Sequence, residues 1–75
     1  MDKYKNIGGG SNVVGYEFGA DSIIVVFADG AAYLYNHAKT GTGNVARMKQ
    51  LAISGSGLNS FINTNVKKLY AAKLR

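Results

Sequence analysis

The sequence predicts an α+β domain in which a three-stranded antiparallel β-meander is followed by two α-helices packed on one face of the sheet. Three observations carry this. Between residues 13 and 35, short runs of β-branched and aromatic residues alternate with glycine and aspartate. From residue 45 onward the apolar residues switch to a helical period. The chain of 75 residues, 47% hydrophobic, 17% charged and free of proline, has the composition of one folded domain and no room for a second.

Residues 1–10 (MDKYKNIGGG) read as a flexible glycine-rich leader, because three successive glycines leave the backbone too permissive to hold one conformation. The domain is expected over residues 11–75. Val13 to Phe18 and Ser22 to Phe27 form the first two strands, joined through Gly19, Ala20 and Asp21. Asp29-Gly30 suits a two-residue type I′ hairpin into a third run, Ala31 to Tyr35. Such a turn pairs Val26 with Tyr33, Val25 with Leu34 and Ile24 with Tyr35. Tyr33 and Tyr35 then share a face with Ile24 and Val26, while Ile23, Val25, Phe27 and Leu34 form the other. A four-residue first loop adds Tyr16 and Phe18 to the Leu34 face and Glu17 to the tyrosine face; a three-residue loop swaps them. The helices are expected on the wholly apolar Leu34 face, leaving the tyrosine face partly wet.

Val45, Met48, Leu51 and Ala52 recur at i, i+3, i+6 and i+7, with Thr42 or Asn44 placed to cap this first helix and Gly55 to end it. Leu58, Phe61, Ile62, Val66, Leu69 and Tyr70 mark a longer second helix, with Ser56 as its cap and fraying soon after Tyr70. Asn65 falls inside that apolar stripe, so its amide must find buried partners or the helix must distort there.

Several function classes drop out. There is no cysteine, so disulfides and thiolate metal sites are impossible, and the single His37 has no acidic or nucleophilic companion. The expectation is a protein that is not an enzyme and uses no metal or cofactor. No apolar run approaches the roughly 18 residues of a membrane span and the first ten residues are too polar for a signal peptide, which implies a cytoplasmic protein with no membrane partner.

The net charge of +5 is unevenly spread. Residues 1–30 hold all four acids, Asp2, Glu17, Asp21 and Asp29, against Lys3 and Lys5, a balance of −2. Residues 31–75 carry Lys39, Arg47, Lys49, Lys67, Lys68, Lys73 and Arg75 with no acid, a balance of +7. An acid-free basic stretch is what an anionic polymer requires, although surface charge also serves solubility. On this reading Lys67, Lys68, Arg47 and Lys49 contact phosphates, or are solvated helix faces. Tyr33 and Tyr35, two apart on a strand, present a stacking platform for unpaired bases, or pack across the sheet. Gly41-Thr42-Gly43-Asn44 and Gly55-Ser56-Gly57 precede the helices as anion cradles or as plain caps.

The run SNVVGYEFGADSIIVVFADGAAYLYN, followed by a helix and GSGLNSFINTNVKKLY, resembles the KTSC domain. That family is a small module named from the C-terminus of some lysyl-tRNA synthetases, with free-standing bacterial and phage versions. The resemblance runs through Ser11, Tyr16, Ile23 to Phe27, Gly30, Tyr33-Leu34-Tyr35, Gly57, Phe61, Asn59 or Asn63, Lys67 or Lys68, and Tyr70, over residues 11–70. His37 to Asn44 differs from the family in carrying Gly and Thr where a Val-Pro pair is usual. The resemblance implies RNA binding. Together these readings predict a small non-catalytic module that binds RNA or single-stranded nucleic acid through the Tyr-x-Tyr strand and the basic helices. The alternative is a protein-interaction or self-associating module, a phage-type inhibitor included, that uses the sheet face as a monomer or homodimer.

Overall fold

The computed structural model describes residues 2–7 and 12–75. It is an α+β fold built on a five-stranded sheet whose strands lie side by side in chain order, every neighbouring pair antiparallel. The strands are β1 (Asp2–Lys3), β2 (Val13–Phe18), β3 (Ser22–Phe27), β4 (Ala32–Asn36) and β5 (Ala72–Lys73). Between β4 and β5 come α1 (His37–Thr40), α2 (Thr42–Ser54), α3 (Leu58–Phe61) and a π-helical turn, Ile62–Val66. The meander β2–β4 and the two main helical segments lie where the sequence puts them. The two-residue edge strands are additions: strands so short carry no alternation that a sequence pattern can register.

The second hairpin is one residue out of the expected register. Val25 pairs with Tyr33, Ile23 with Tyr35 and Ile24 with Leu34. Instead of a two-residue turn, the chain closes over Ala28, Asp29 and Gly30: Phe27 N–H donates to the Ala31 carbonyl at 2.8 Å and Gly30 N–H to the Phe27 carbonyl at 2.9 Å. Gly30 holds φ 91°, and the Asp29 carboxylate accepts from Ala31 N–H at 3.0 Å. This is the three-residue alternative for an Asp-Gly hairpin, a tight turn followed by one left-handed residue. Because side chains alternate, the one-residue slip moves both tyrosines to the other face. Tyr33 and Tyr35 therefore stand with Ile23 and Val25 under the helices, and Ile24, Val26 and Leu34 form the opposite face. The expected wet tyrosine face is the core face.

The first hairpin takes the four-residue connection, with Phe18 opposite Ile23 and Tyr16 opposite Val25. A bulge at Val14 shifts the register between Val13 and Gly15, which lets Val13 reach the core face alongside Tyr16.

Asn36 caps α1 by accepting from Lys39 N–H at 2.9 Å. Val45, Met48 and Ala52 of α2 are buried against the sheet with Leu51 partly so, as their spacing predicts. Neither Thr42 nor Asn44 caps α2; Gly41 occupies that position and Asn44 Nδ2 donates instead to the Thr40 carbonyl at 3.0 Å. Gly55 ends α2 in the left-handed conformation, φ 79°, and donates to the Leu51 carbonyl. Gly57 stands at the start of α3 in the place expected for Ser56.

The second helical segment departs from a regular helix at Ile62–Val66. Leu58, Ile62 and Val66 stay buried while Asn65 turns outward, its Nδ2 donating to the Phe61 carbonyl at 3.3 Å and to Thr64 Oγ1 at 2.9 Å. The distortion thus resolves the amide that would have fallen in the apolar stripe. Helical structure stops before Tyr70: Leu69 N–H donates to the Val66 carbonyl at 2.9 Å, and the chain turns back so that β5 pairs with β4, Ala72 opposite Leu34 and Lys73 opposite Tyr33. The Thr40 hydroxyl fastens this return by donating to the Leu69 carbonyl at 2.6 Å.

Residues 2–4 also belong to the folded body. Asp2 and Lys3 pair with Tyr16 and Gly15, and the Tyr4 ring is 2% exposed within the core. The Tyr4 hydroxyl accepts from the buried Leu58 N–H at 3.3 Å, and Ile7 N–H donates to the Gly55 carbonyl at 2.7 Å. Gly8–Gly10, on which the expectation of a flexible leader rests, and Ser11, the first residue of the family resemblance, lie outside the described residues.

Candidate functional site

Because the slipped hairpin puts the tyrosines beneath the helices, one cleft gathers residues that the expected register would have separated. It has a volume of about 580 Å³ and opens between the β3–β4 hairpin and the helical segment Leu58–Val66. That volume lies within the roughly 300–1,000 Å³ of small-molecule sites. Asn59, Asn63 and Lys67, each four residues after the last, line it from the helical side. Phe27, Tyr33 and Tyr70 supply an aromatic wall, with Tyr35 and Ile62 beneath.

The aromatic wall is held by edge-to-face packing. Tyr33 meets Tyr70 at 4.8 Å between ring centroids and Phe27 at 5.7 Å, with interplanar angles of 66° and 84°. Lys73, opposite Tyr33 on β5, places its ammonium 5.8 Å from the Tyr33 ring. Tyr33 is thus half-buried among two rings and a cation, a positioned wall residue rather than a free platform.

Tyr35 is 2% exposed, so its ring faces are covered by the core and cannot stack on a base. Its hydroxyl is another matter. Among the described residues it makes no hydrogen bond, and no buried side-chain oxygen or nitrogen there lacks a partner. The hydroxyl must therefore meet open space, and the cleft is where Tyr35 reaches it. Burial, together with the phenols of Tyr33 and Tyr70, pushes this hydroxyl from 10.0 up to about 12. It stays protonated, able to donate, at any physiological pH. The Asn59 and Asn63 side-chain amides likewise make no hydrogen bond within the described residues.

Charge at the cleft is mixed. Lys67 lies on its wall and Lys73 beside Tyr33. Asp29 stands at the rim, its carboxylate accepting from the turn amide of Ala31. Lys68 is exposed and adjacent in sequence but does not line the cleft. Lys49 and Arg47 belong elsewhere. Lys49 Nζ donates to the Gly19 carbonyl at 2.8 Å and sits 5.6 Å from the Phe18 ring, at the first hairpin. That is the opposite end of β3 from the cleft, roughly 16 Å away along a six-residue strand. Arg47, exposed on the same helix, is 3.4 Å from Gln50 Oε1.

Of the sequence-derived site residues, the structure therefore unites Tyr33, Tyr35 and Lys67, leaves Lys68 nearby, and detaches Arg47 and Lys49. It adds Asn59, Asn63, Tyr70 and Phe27. The two asparagines were visible as alternatives within the late motif, whereas nothing local ties Phe27 to Tyr70. His37 starts α1, with its N–H donating to the Asp21 carbonyl at 3.0 Å. Among the described residues no three His, Asp or Glu side chains gather as metal ligands, and no helix is long and apolar enough to cross a membrane.

Comparison of the chain with models of protein families, with curated proteins and with solved structures finds no match in any of the three.

Proposed function

We propose that this protein is a small non-catalytic binding module for single-stranded nucleic acid, with RNA as the preferred form, and that the cleft between the β3–β4 hairpin and Leu58–Val66 is its binding site. The observation that carries the reading is the cleft itself. Aromatic rings, side-chain amides without internal partners and the Lys67 ammonium meet there, with Asn59, Asn63, Lys67 and Tyr70 drawn from the half of the chain that has no acid and Asp29 at the rim. Unpaired bases are recognised by this mixture of ring contact, amide hydrogen bonding and cationic phosphate contact. The resemblance to the KTSC domain, for which RNA binding is suggested, supports the same reading.

The roles differ from those the sequence alone suggests. Tyr33 acts as a wall held by Phe27 and Tyr70 and Tyr35 as a hydroxyl at the floor, so no Tyr-x-Tyr stacking pair is invoked. Lys67, Lys68 and Lys73 are the phosphate contacts; Arg47 and Lys49 are too far along the sheet to share one short ligand.

A second reading rests on a different surface. Ile24, Val26 and Leu34 form an apolar patch on the sheet face away from the core cluster, each only half-buried. It supports a protein-interaction or self-associating module, which predicts an oligomer that dissociates on dilution.

The test is a titration of labelled single-stranded RNA at about 50 and 200 mM salt. Three phosphate contacts on a single strand predict a log–log salt slope of about −2, hence an affinity loss of about twentyfold across that range. Absence of binding at the lower salt refutes the proposal.

A further inference from the structure

We propose that the cleft holds one nucleotide rather than tracking a strand. This inference rests on the nucleic-acid reading and specifies how the same site is used. Its polar groups come from two sides: Asn59, Asn63 and Lys67 form a row on the helical wall and Tyr35 lies beneath. Asn59 and Asn63, one helical turn apart, line the same space as Tyr35. The Tyr35 ring is 2% exposed, yet its hydroxyl makes no hydrogen bond within the described residues and meets open space, so it is free to bond a group that enters the cleft. The amides offer donors and acceptors in a planar arrangement, the complement of a base edge, and a phenol adds one more donor. Phe27, Tyr70 and Ile62 provide the apolar walls that a planar heterocycle requires. Lys67, one turn beyond Asn63, is placed for the phosphate attached to that base.

The cleft then captures a single extruded nucleotide of an unpaired strand, its base edge read by Asn59, Asn63 and the Tyr35 hydroxyl and its phosphate held by Lys67. Flanking nucleotides lie outside the cleft and contribute through Lys68 and Lys73. The protein then discriminates among bases at one position while remaining tolerant at its neighbours.

The experiment uses the full chain and labelled homopolymeric ribo-oligonucleotides of A, C, G and U, each about ten nucleotides long. Wild type is expected to favour one base over the others. Tyr35→Phe, which removes only the hydroxyl, and Asn59→Ala/Asn63→Ala, which alters half-buried and exposed positions, are each expected to lose about three- to tenfold for the favoured base and to level the four affinities. Lys67→Ala should weaken all four oligomers alike. Circular dichroism and thermal melts of the variants establish that they remain folded. If wild type binds with the expected salt dependence while the Tyr35 and Asn59/Asn63 variants bind every oligomer unchanged, the nucleotide is not in the cleft and this inference fails, although nucleic-acid binding stands. If wild type binds none of the four at low salt, the proposed function itself fails and this inference with it.

Discussion

Tyr4 offers a direct test of how the domain is assembled, because one side chain makes two separable contributions. Its ring is 2% exposed and packs in the core; its hydroxyl, at 3.3 Å, takes the otherwise unpaired first amide of α3. Tyr4→Phe keeps the ring and strands the Leu58 N–H. An orphaned buried donor costs about 1–3 kcal/mol, and the long contact places this one near 1 kcal/mol. In a domain of this size that lowers the melting temperature by about 4–8 °C. Tyr4→Ala removes the ring as well, and buried aromatic truncations cost about 3–5 kcal/mol. At about 0.05–0.15 kcal/mol per residue, the whole domain has on the order of 4–11 kcal/mol to lose. Tyr4→Ala is thus expected to be partly unfolded at 37 °C, whereas Lys3→Ala, at the exposed neighbouring residue in β1, should shift stability by no more than about 0.5 kcal/mol. Thermal unfolding followed by far-UV circular dichroism reads all three. A Tyr4→Ala variant that melts with wild type would refute the claim that residues 2–4 complete the core.

Three further outcomes follow from particular contacts. Gly55→Ala places a Cβ 2.7 Å from the Lys5 Cβ at a residue with φ 79°, so it should destabilise by about 1–3 kcal/mol, seen as a lower denaturation midpoint with an unchanged slope. Thr40→Ala deletes the donor to the Leu69 carbonyl and should cost about 1 kcal/mol while speeding amide exchange at Ala71, whose N–H donates to the Leu34 carbonyl. The raised Tyr35 value makes the unfolded chain lose its proton first: stability from this group is intact below pH 10 and is lost as pH rises towards about 12. Ultraviolet phenolate titration should show one tyrosine ionising near the upper limit, absent in Tyr35→Phe; a fifth tyrosine that titrates with the others contradicts its burial.

The elements with strong local periodicity were legible in the sequence and the geometry that joins them was not. Val45, Met48 and Ala52 announce α2 by spacing, and Gly55 ends it because a left-handed residue is needed there. The Asp29-Gly30 turn was visible, but two hairpin geometries fit the same dipeptide, and the choice between them decides which face each tyrosine occupies. Packing favours the three-residue form, since it puts Ile23, Val25 and Tyr35 together under the helices. The Val14 bulge has a local mark in Gly15, an interior strand glycine, but that residue alone does not say that the register shifts there. Tyr4 against Leu58 and Ala72 against Leu34 are contacts between distant parts of the chain, made by segments too short to have a pattern. The cleft inherits this limit. Lys67 and the two asparagines could be picked out by type and spacing, but their meeting with Phe27, Tyr33 and Tyr70 depends on the hairpin register and on the return of the chain after Lys68.

The central claim, that a single-stranded nucleic acid occupies the cleft, is tested most directly by an amide and side-chain nitrogen–proton NMR titration of the labelled protein with the best-binding ribo-oligonucleotide. Shifts are expected to concentrate at Tyr33, Tyr35, Ile62, Lys67 and the Asn59 and Asn63 side-chain amides, with α2 around Arg47 and Lys49 unmoved. Shifts centred on Ile24, Val26 and Leu34, or no shifts at all, would contradict it.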